Sequence, residues 1–437
     1  MLGSLGSSGQ AAMDELEYDV VIVGAGPAGL AAAVRLKRLR PACTVAVLEK
    51  ARRPGGHLLS GALVPADLLH PLFSPEEQAD APLGAPIHRE SLEYLSERRA
   101  LPLPVPPFFA QHEATPRRAA SLSRLGRWMA EKAEELGVDL LPGFAAVELL
   151  WDDHGAVMGV RTGDKGRDRE GRPKPHFEPG MALRARVTIL AEGCRGYLAQ
   201  QAIQRFGLGR GRAPQTYALG LKEVWQLPGP PGLNHIALHT LGWPLPGDVY
   251  GGGFVYPEGE NRLALGLVMG LDYRRPAWDP WLAFRRWLDH PRLRSLLQGG
   301  QRIGFGARTI ADGGGQARPR LVFDGGLLVG DAAGVFDPAR RQGVAPAIAS
   351  GVLAAETLNT VWDAGDFSQR GLEDYQRAQE ASPEDRRLRA GRNVRPGFRV
   401  GRLPGLLNAA WEGGTHGRSP WTLGWRIEDR GRMTPLP

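Results

Sequence analysis

The 437-residue chain is 42% hydrophobic and 23% charged, which is the composition of a globular protein long enough for two or three domains. Its formal net charge is +7, but no nucleic-acid recognition motif accompanies the basic residues, so we expect no nucleic-acid partner. The two cysteines exclude a disulfide framework and cannot supply the four ligands of an iron–sulfur cluster, and the ten histidines lack metal-ligand spacing.

The start of the chain is rich in glycine and serine, and we predict that residues 1–13 are disordered. These residues lack the basic start and the apolar core of a signal peptide. No run of about 20 apolar residues occurs further along, so the sequence predicts no transmembrane helix.

Residues 18–50 have the pattern of a strand, a glycine turn, a helix and a second strand that ends in an acid. In the turn, Gly24 permits a tight bend, Gly26 lets the backbone approach a pyrophosphate, and Gly29 lets helix and strand pack closely. The helix that follows offers free N–H groups to phosphates, and Glu49 can accept hydrogen bonds from a ribose. The sequence therefore predicts a dinucleotide-binding unit.

The rest of the chain alternates between this Rossmann pattern and a β-rich pattern. Helices are predicted over 121–136, 281–288 and 344–358, and strands over 138–141, 187–190, 217–225, 250–256, 263–269 and 326–329. The apolar strands at 187–190 and 326–329 belong with the first unit, so the nucleotide domain is built from separated pieces with a β-rich domain inserted.

A second motif distinguishes among dinucleotides. A strand runs into Val329-Gly330-Asp331, and a glycine and a helix follow. An aspartate there can accept hydrogen bonds from a ribityl chain, which favours FAD over NAD. No Ser/His/Asp set, paired carboxylates or metal cluster accompanies these motifs. We therefore predict no catalytic residue in the protein and expect the flavin to carry the chemistry.

His57 and Ser60 lie in the loop after the first unit, where they can reach the isoalloxazine or the pyrophosphate. With them, the predicted cofactor-binding residues are Gly24, Gly26, Pro27, Ala28, Gly29, Glu49, Lys50, His57, Ser60, Gly61, Gly193, Gly330, Asp331, Gly343 and Val344.

The predicted fold class is α/β (α+β overall), with a Rossmann-type FAD-binding domain, an inserted β-rich domain and a short helical C-terminal extension. The FAD-binding domain is predicted to comprise 14–62, 112–212 and 304–364, the β-rich domain 63–111 and 213–303, and the extension 365–437. In the extension, arginines crowd a stretch that precedes apolar residues Leu403 to Trp411. Such a run forms either a solvated face or an interfacial segment on anionic headgroups.

Further segments resemble the electron transfer flavoprotein–ubiquinone oxidoreductase family. They are, in chain order, Gly56–Ala62, Glu134–Val138, Val187–Cys194, Pro214–Trp225, Gly242–Leu245, Tyr250–Phe254, Gly270–Tyr273, Gly299–Ile303, Arg392–Pro396 and Pro420–Leu423. The resemblance implies an FAD-dependent enzyme that passes electrons from electron transfer flavoprotein to ubiquinone or menaquinone, with the β-rich domain binding the quinone. By the matching motif, Gly251 and Gly252 resemble the pair whose backbone bonds a quinone carbonyl.

The resemblance also implies peripheral attachment to a membrane surface, here the cytoplasmic face of a bacterial cytoplasmic membrane. Residues 54–75 and 397–418 resemble the family's two membrane segments, although the second is interrupted by charged residues. The chain ends at Pro437, about where the family's four-cysteine domain begins, so we expect no 4Fe-4S cluster in it and a separate ferredoxin-like protein as partner. The stretch Asp337 to Val344 also departs from the family pattern.

Three other functions fit parts of this pattern. A FixC-type flavoprotein would work with a small ferredoxin, and a geranylgeranyl or other prenyl-lipid reductase would bind an isoprenoid in place of quinone. A degenerate, non-catalytic flavoprotein retained as a docking subunit is the alternative outside enzymology.

Overall fold

The computed structural model describes residues 15–58, 61–105, 116–233, 235–259 and 261–423. The predicted disorder of 1–13 and the predicted cofactor contact of Ser60 lie outside these residues. In chain order, the described strands are β1 (Glu15–Val23), β2 (Val45–Glu49), β3 (Ala62–Pro65), β4 (Leu83–Ile87), β5 (Arg89–Leu95), β6 (Ala100–Leu103), β7 (Arg117–Ala120), β8 (Asp139–Pro142), β9 (Ala146–Trp151), β10 (Val157–Thr162), β11 (Lys165–Arg167), β12 (Pro173–Glu178), β13 (Ala182–Leu190), β14 (Tyr217–Gln226), β15 (Ile236–Gly242), β16 (Gly251–Pro257), β17 (Arg262–Gly270), β18 (Gln301–Ala311), β19 (Val322–Phe323) and β20 (Gly326–Leu328). The α-helices are α1 (Pro27–Leu39), α2 (Leu122–Glu135), α3 (Tyr197–Arg205), α4 (Pro280–Leu288), α5 (Pro291–Leu296), α6 (Val344–Val361), α7 (Glu373–Ala381), α8 (Pro383–Ala390), α9 (Val394–Gly397) and α10 (Arg402–Gly414).

The first sheet is the Rossmann sheet. Its main path runs β19-β20-β13-β1-β2-β8, and β10 and β9 extend it beside β13. The β13-β1-β2-β8 pairs are parallel, and Val20 to Val23 in β1 are buried, as expected for a parallel strand covered on both faces. The predicted α/β fold class with a Rossmann-type domain is confirmed.

The second sheet has seven strands in the order β18-β14-β17-β16-β15-β5-β6. Its strands alternate in direction except for the parallel pair β15 and β5. One face packs on α4 and α5, with Trp287 and Phe284 fully buried in that core. The predicted domain boundary at 303/304 falls inside β18, so this sheet extends across it. β15 and β18 were not among the predicted strands.

A third sheet, β3-β7-β4, packs against both larger ones: Val64 belongs to the Rossmann core, and Leu63 packs in a cluster with Phe254 of the seven-stranded sheet. The predicted boundary at 62/63 falls within β3, and β7, assigned to the FAD-binding domain, pairs with both β3 and β4.

Four apolar residues of the predicted membrane segment 54–75 lie in the turn after β3. Leu68, Leu69, Leu72 and Phe73 are buried in the Rossmann core, and the Phe73 ring lies 4.8 Å from the Trp128 ring, centroid to centroid. These four side chains are core residues in this fold, so the predicted membrane contact is wrong for them.

The C-terminal extension is helical, as predicted, and two arginines of its basic run bind backbone carbonyls. Arg392 donates to the carbonyls of Gly417 and Ser419, and Arg402 donates to that of Pro246. These two side chains therefore help to hold the extension together, and the interpretation of the run as a solvated face or a lipid-headgroup surface stays a prediction.

Among the described residues, α6 is the one helix long and apolar enough to cross a membrane by length and composition. In this structure 61% of its apolar window is buried, and the helix packs closely on α1. Small residues allow this approach, because a Cβ at Gly351 would collide with the carbonyl of Ala28. α6 is therefore packed as a core helix.

Candidate functional site

A cavity of about 560 Å³ lies between the Rossmann sheet and the seven-stranded sheet. It brings together most of the residues that the sequence nominated for cofactor and quinone. The nominated residues that line it are Gly24, Gly26, Pro27, Ala28, Glu49, Lys50, His57, Gly61, Gly193, Gly251, Gly252, Gly330, Asp331, Gly343 and Val344. Gly29 does not line it, because it lies behind the turn against Ile22 and Ala191.

The three glycines of the first turn have different surroundings. Gly24 has a φ of +110°, and a Cβ there would lie 2.5 Å from the carbonyl oxygen of Ala191, so only glycine fits. Gly26 has no atom within 4 Å of its missing Cβ and faces the open cavity. This open space beside the start of α1, which has no side-chain cap, fits a phosphate group held by backbone N–H groups.

Glu49 lines the end of the cavity beside the first glycine turn, here called the nucleotide end because the sequence predicts the dinucleotide there. Its carboxylate accepts hydrogen bonds from the backbone N–H of Ala25 at 3.1 Å and of Ala51 at 2.7 Å. These contacts hold the carboxylate at the cavity wall. His57 lies at the same end, with Nδ1 3.8 Å from Glu49 Oε1.

The second predicted motif closes the other side of the nucleotide end. Gly330 has a φ of +62°, its N–H donates to Ser350 Oγ, and Asp331 faces the cavity. Burial raises the pKa of the Asp331 carboxyl to about 6, although Arg308 opposes the rise. An acceptor in this position fits a hydroxylated chain such as ribityl, and Gly343 opens the N-terminus of α6 beside it.

The cavity-facing side of the seven-stranded sheet carries one row of chemically distinct side chains. Lys222 pairs with Gly266, Gly266 with Phe254, and Phe254 with His239, so the row crosses four strands in register. The Phe254 ring lies over Gly266, where a Cβ would be 2.6 Å from its Cζ. A cation and an imidazole therefore flank one aromatic ring.

His239 belongs to a buried group of charges around Glu90. Glu90 accepts from Arg117 at 2.6 Å, from His239 Nε2 at 2.9 Å and from Arg341 at 3.1 Å. Burial and the nearby Arg341 lower the pKa of His239 to about 4, although Glu90 opposes this, so the imidazole is neutral near pH 7. Arg341 lies in the stretch 337–344, which departs from the family pattern. This stretch therefore supplies one of the two arginines that contact Glu90.

The predicted quinone glycines, Gly251 and Gly252, are also required by strand packing. Gly251 has a φ of +150°, and a Cβ at Gly252 would lie 2.6 Å from the carbonyl oxygen of Thr240. Gly220 differs, because a Cβ there would meet only ordinary contacts at 3.6 Å or more. Gly220, Val268 and Gly252 are neighbours in register and line the cavity, forming a surface without bulky side chains.

The far end of the cavity meets the C-terminal extension. Val394, Phe398, Leu406 and Ala409 line it there. The opposite side of α10 is exposed and apolar, with Leu403 75%, Leu407 74% and Trp411 53% accessible. An apolar helix face thus borders the end of the cavity.

Sequence reasoning missed several residues of the sheet end: Gly220, Lys222, His239, Arg117, Arg308 and Arg341. Lys222 had a signal, because it interrupts an otherwise mostly apolar strand at a position with the same facing as Ala218 and Gly220. The others had none, since their partners lie on distant segments. Among the described residues, no group of three or more His, Cys, Asp or Glu residues is arranged to hold a metal ion.

A Rossmann domain with a second Gly-Asp turn and a sheet domain covering one shared cavity is the architecture of FAD-dependent oxidoreductases. A family profile described as NAD(P)-binding Rossmann-like domain matches residues 22–75, and one described as ETF-QO, ubiquinone-binding, matches residues 217–310. The chain is 40% identical over 434 residues to the mitochondrial electron transfer flavoprotein–ubiquinone oxidoreductase of Homo sapiens, covering 96% of this chain and 70% of that protein. The chain belongs to the electron transfer flavoprotein–ubiquinone oxidoreductase family and is a flavoprotein oxidoreductase.

Other similarities agree with this assignment. The mitochondrial enzyme of the same name from Oryza sativa subsp. japonica is 41% identical over 425 residues, covering 95% of this chain and 72% of that protein. A solved structure, a geranylgeranyl bacteriochlorophyll reductase-like protein from Thermoplasma acidophilum, has a TM-score of 0.64 at 19% identity and covers 96% of both chains. At that identity the similarity concerns the fold alone.

Proposed function

We propose that this chain takes electrons from electron transfer flavoprotein, passes them through FAD at the nucleotide end of the cavity and delivers them to ubiquinone or menaquinone at the sheet end. The observation that carries the proposal is the single cavity, which runs from Gly26 and Glu49, past Asp331, to Gly251 and Gly252. A flavin and a quinone held in one cavity need no moving domain between them.

Different residues at the nucleotide end would bind different parts of FAD. Gly26 and the start of α1 would bind the pyrophosphate, Glu49 the ribose, and Asp331 the ribityl chain. When bound, FAD supplies the redox chemistry by accepting electrons and releasing them to the quinone. The residues of the chain exclude water and set the charge around it.

The sheet end is suited to a flat apolar ring. Gly220, Val268 and Gly252 leave room above the sheet, and the backbone at Gly251 and Gly252 is proposed to bond a quinone carbonyl. The guanidinium groups of Arg117 and Arg341 both contact the Glu90 carboxylate beside this site. Cationic side chains in this position would stabilise negative charge that develops on a flavin or a quinone during reduction.

Membrane attachment is proposed through α10. Leu403, Leu407 and Trp411 are exposed on one side, while Leu406 and Ala409 line the cavity on the other. A quinone tail leaving the cavity would therefore meet lipid directly. The proposed location is the cytoplasmic face of a bacterial cytoplasmic membrane.

A separate ferredoxin-like protein is proposed to carry a cluster between electron transfer flavoprotein and the flavin. Cys43 and Cys194 are the two cysteines of the sequence, and they are buried at different places. Burial raises the pKa of both thiols, which opposes metal ligation by either one.

The test is anaerobic turnover of the FAD-loaded protein with reduced electron transfer flavoprotein and a short-chain quinone. Quinol formation without an added ferredoxin supports the proposal and removes the need for the separate cluster protein. Quinol formation only after a ferredoxin is added supports both the quinone reduction and the separate cluster protein. If chemically reduced protein forms no quinol, the quinone assignment is overturned. Consumption of a polyprenyl substrate would then favour a prenyl-lipid reductase.

A further inference from the structure

Lys222 is a buried cation at the cavity wall that the proposed function leaves unexplained. It lies in the middle of β14, its residue is 8% exposed, and it lines the cavity. Its Nζ donates to the carbonyl oxygen of Gly61 at 2.8 Å and lies 5.1 Å from the centre of the Phe254 ring. Lysine is rarely buried without a charged partner, so its surroundings need an account.

The carboxylate that acts on Lys222 electrostatically is Glu258, in the turn between β16 and β17, although no direct hydrogen bond joins the two side chains. Glu258 Oε1 and Lys222 Nζ both lie 3.6 Å from the same point, the Cβ position beside Gly61. Among the described residues, Glu258 Oε1 is buried without a hydrogen-bond partner. The residue as a whole is half-buried, so its other side reaches solvent.

We propose that Glu258 and Lys222 form a proton path from solvent to the cavity, and that Lys222 supplies one of the two protons taken up when quinone is reduced. The inference rests on the proposed quinone reduction. It assigns to this pair a role that the electron path alone does not include.

The step balances in atoms and charge. Quinone gains two electrons and two protons to become quinol. Bound FAD in its anionic, singly protonated reduced form would supply two electrons and one proton, and the Lys222 ammonium would give the second proton to a quinone oxygen, directly or through a water molecule. One N–H bond breaks, one O–H bond forms, and the neutral amine then regains a proton from Glu258, which is refilled from solvent.

The electrostatics of the pair suit this role. Burial lowers the pKa of Lys222 to about 7, with Glu258 partly opposing the change, so both protonation states exist near neutral pH. Burial raises the pKa of Glu258, while Lys222, Arg124 of α2 and Arg262 of β17 oppose the rise. His239, on the other side of Phe254, is neutral and directs Nε2–H at Glu90, so it is not the donor.

The sign of the pH dependence follows from the charge of the donor. The ammonium form is required, so quinone reduction should be fast below the pKa of Lys222 and should decline as pH rises through about 7. Replacing Glu258 removes a neighbour that raises this pKa, so E258Q should move the decline to lower pH. If Lys222 had only a structural role, quinone reduction would show neither the decline near pH 7 nor its displacement in E258Q.

The experiment compares Lys222→Met with Lys174→Met, an exposed lysine on β12, in the FAD-loaded protein. Quinol formation at pH 7 should fall on the order of a hundredfold in K222M and stay at the wild-type level in K174M. Reduction of ferricyanide, which takes up electrons and no proton, should be preserved in K222M. An equal loss with both acceptors would overturn the proposal, because it would indicate a disturbed flavin rather than a missing proton.

Lys222→Arg covers the case in which K222M fails to fold. Arginine keeps a cation near Gly61 but does not release its proton, so K222R should retain flavin and lose quinone reduction. Wild-type quinone reduction in K222R would overturn the proposal.

A measurement without turnover separates this inference from the proposed function. The chain has six lysines, so a protein labelled with ¹³C at lysine Cε should resolve Lys222 by comparison with K222M. Its titration midpoint should lie near 7 and fall in E258Q. An ordinary lysine midpoint overturns the inference even if quinone is reduced; a shifted midpoint in a protein that never reduces quinone overturns the proposed function instead.

Discussion

The two ends of the cavity are built from different parts of the chain. At the nucleotide end, β1, the glycine turn, α1 and β2 follow one another within about 35 residues and together form one side of the wall. At the sheet end, Glu90 meets Arg117, His239 and Arg341, which lie up to 251 positions away. A unit of consecutive elements forms its part of the wall when the spacing along the chain is right. A wall assembled from distant segments forms only when all of those segments have packed together.

The assembled end should be the more sensitive to loss of one charge. Replacing Glu90 by Leu removes the carboxylate that Arg117, His239 and Arg341 all contact, and we expect the free energy of unfolding to fall by about 3 kcal/mol. Denaturant titration measures the change. Glu148→Leu, which removes a largely exposed pair with Arg161, should cost little. Equal losses in the two variants would mean that the group around Glu90 does not stabilise the fold.

The local end should respond to strain at one glycine and not at its neighbour. Gly24→Ala forces a Cβ against the Ala191 carbonyl at a φ of +110°. We therefore expect the free energy of unfolding to fall by about 2 kcal/mol and the bound flavin to be lost. Gly26→Ala meets open space, so its stability should match wild type while FAD affinity falls. Thermal unfolding and flavin absorbance separate the two, and full FAD affinity in G26A would argue against pyrophosphate at this turn.

A third comparison tests the quinone ring site within the seven-stranded sheet. Gly220→Val fills open cavity space, so we expect the KM for a short-chain quinone to rise about tenfold, with flavin content unchanged. Gly304→Val adds the same side chain to the same sheet outside the cavity lining and serves as the control. Gly252 is a poorer position, because its substitution would disturb Thr240. Unchanged kinetics in G220V would place the quinone elsewhere.

The smallest effect is expected at the outer surface. The double variant Leu403→Glu, Leu407→Glu should weaken binding to anionic vesicles about fivefold, because a helix face partly inserted among headgroups loses apolar contact. Phe305→Glu, equally exposed on β18, should bind as wild type does. Co-sedimentation measures binding, and stronger loss in F305E would assign the membrane contact to the edge of the sheet.

How far the sequence could predict the fold differs between particular strands. β14, β16 and β17 were expected from their apolar residues, because their inward faces pack on α4 and α5. β18 was not expected, because it is an edge strand in which Gly304 and Gly306 alternate with exposed Ile303 and Phe305. Nothing covers that outward face in the described residues, so its pattern lacks the contrast that marks a half-buried strand.

By itself, the sequence determined the nucleotide unit, the second Gly-Asp turn and the family. Their geometry depends on neighbours in the chain, above all on backbone angles that only glycine adopts at Gly24 and Gly330. The tertiary structure decided that the apolar turn at 68–73 is core rather than membrane contact, and that Lys222 faces the cavity beside Glu258. Burial and charge pairing depend on which distant elements pack together, and spacing along the chain does not record that.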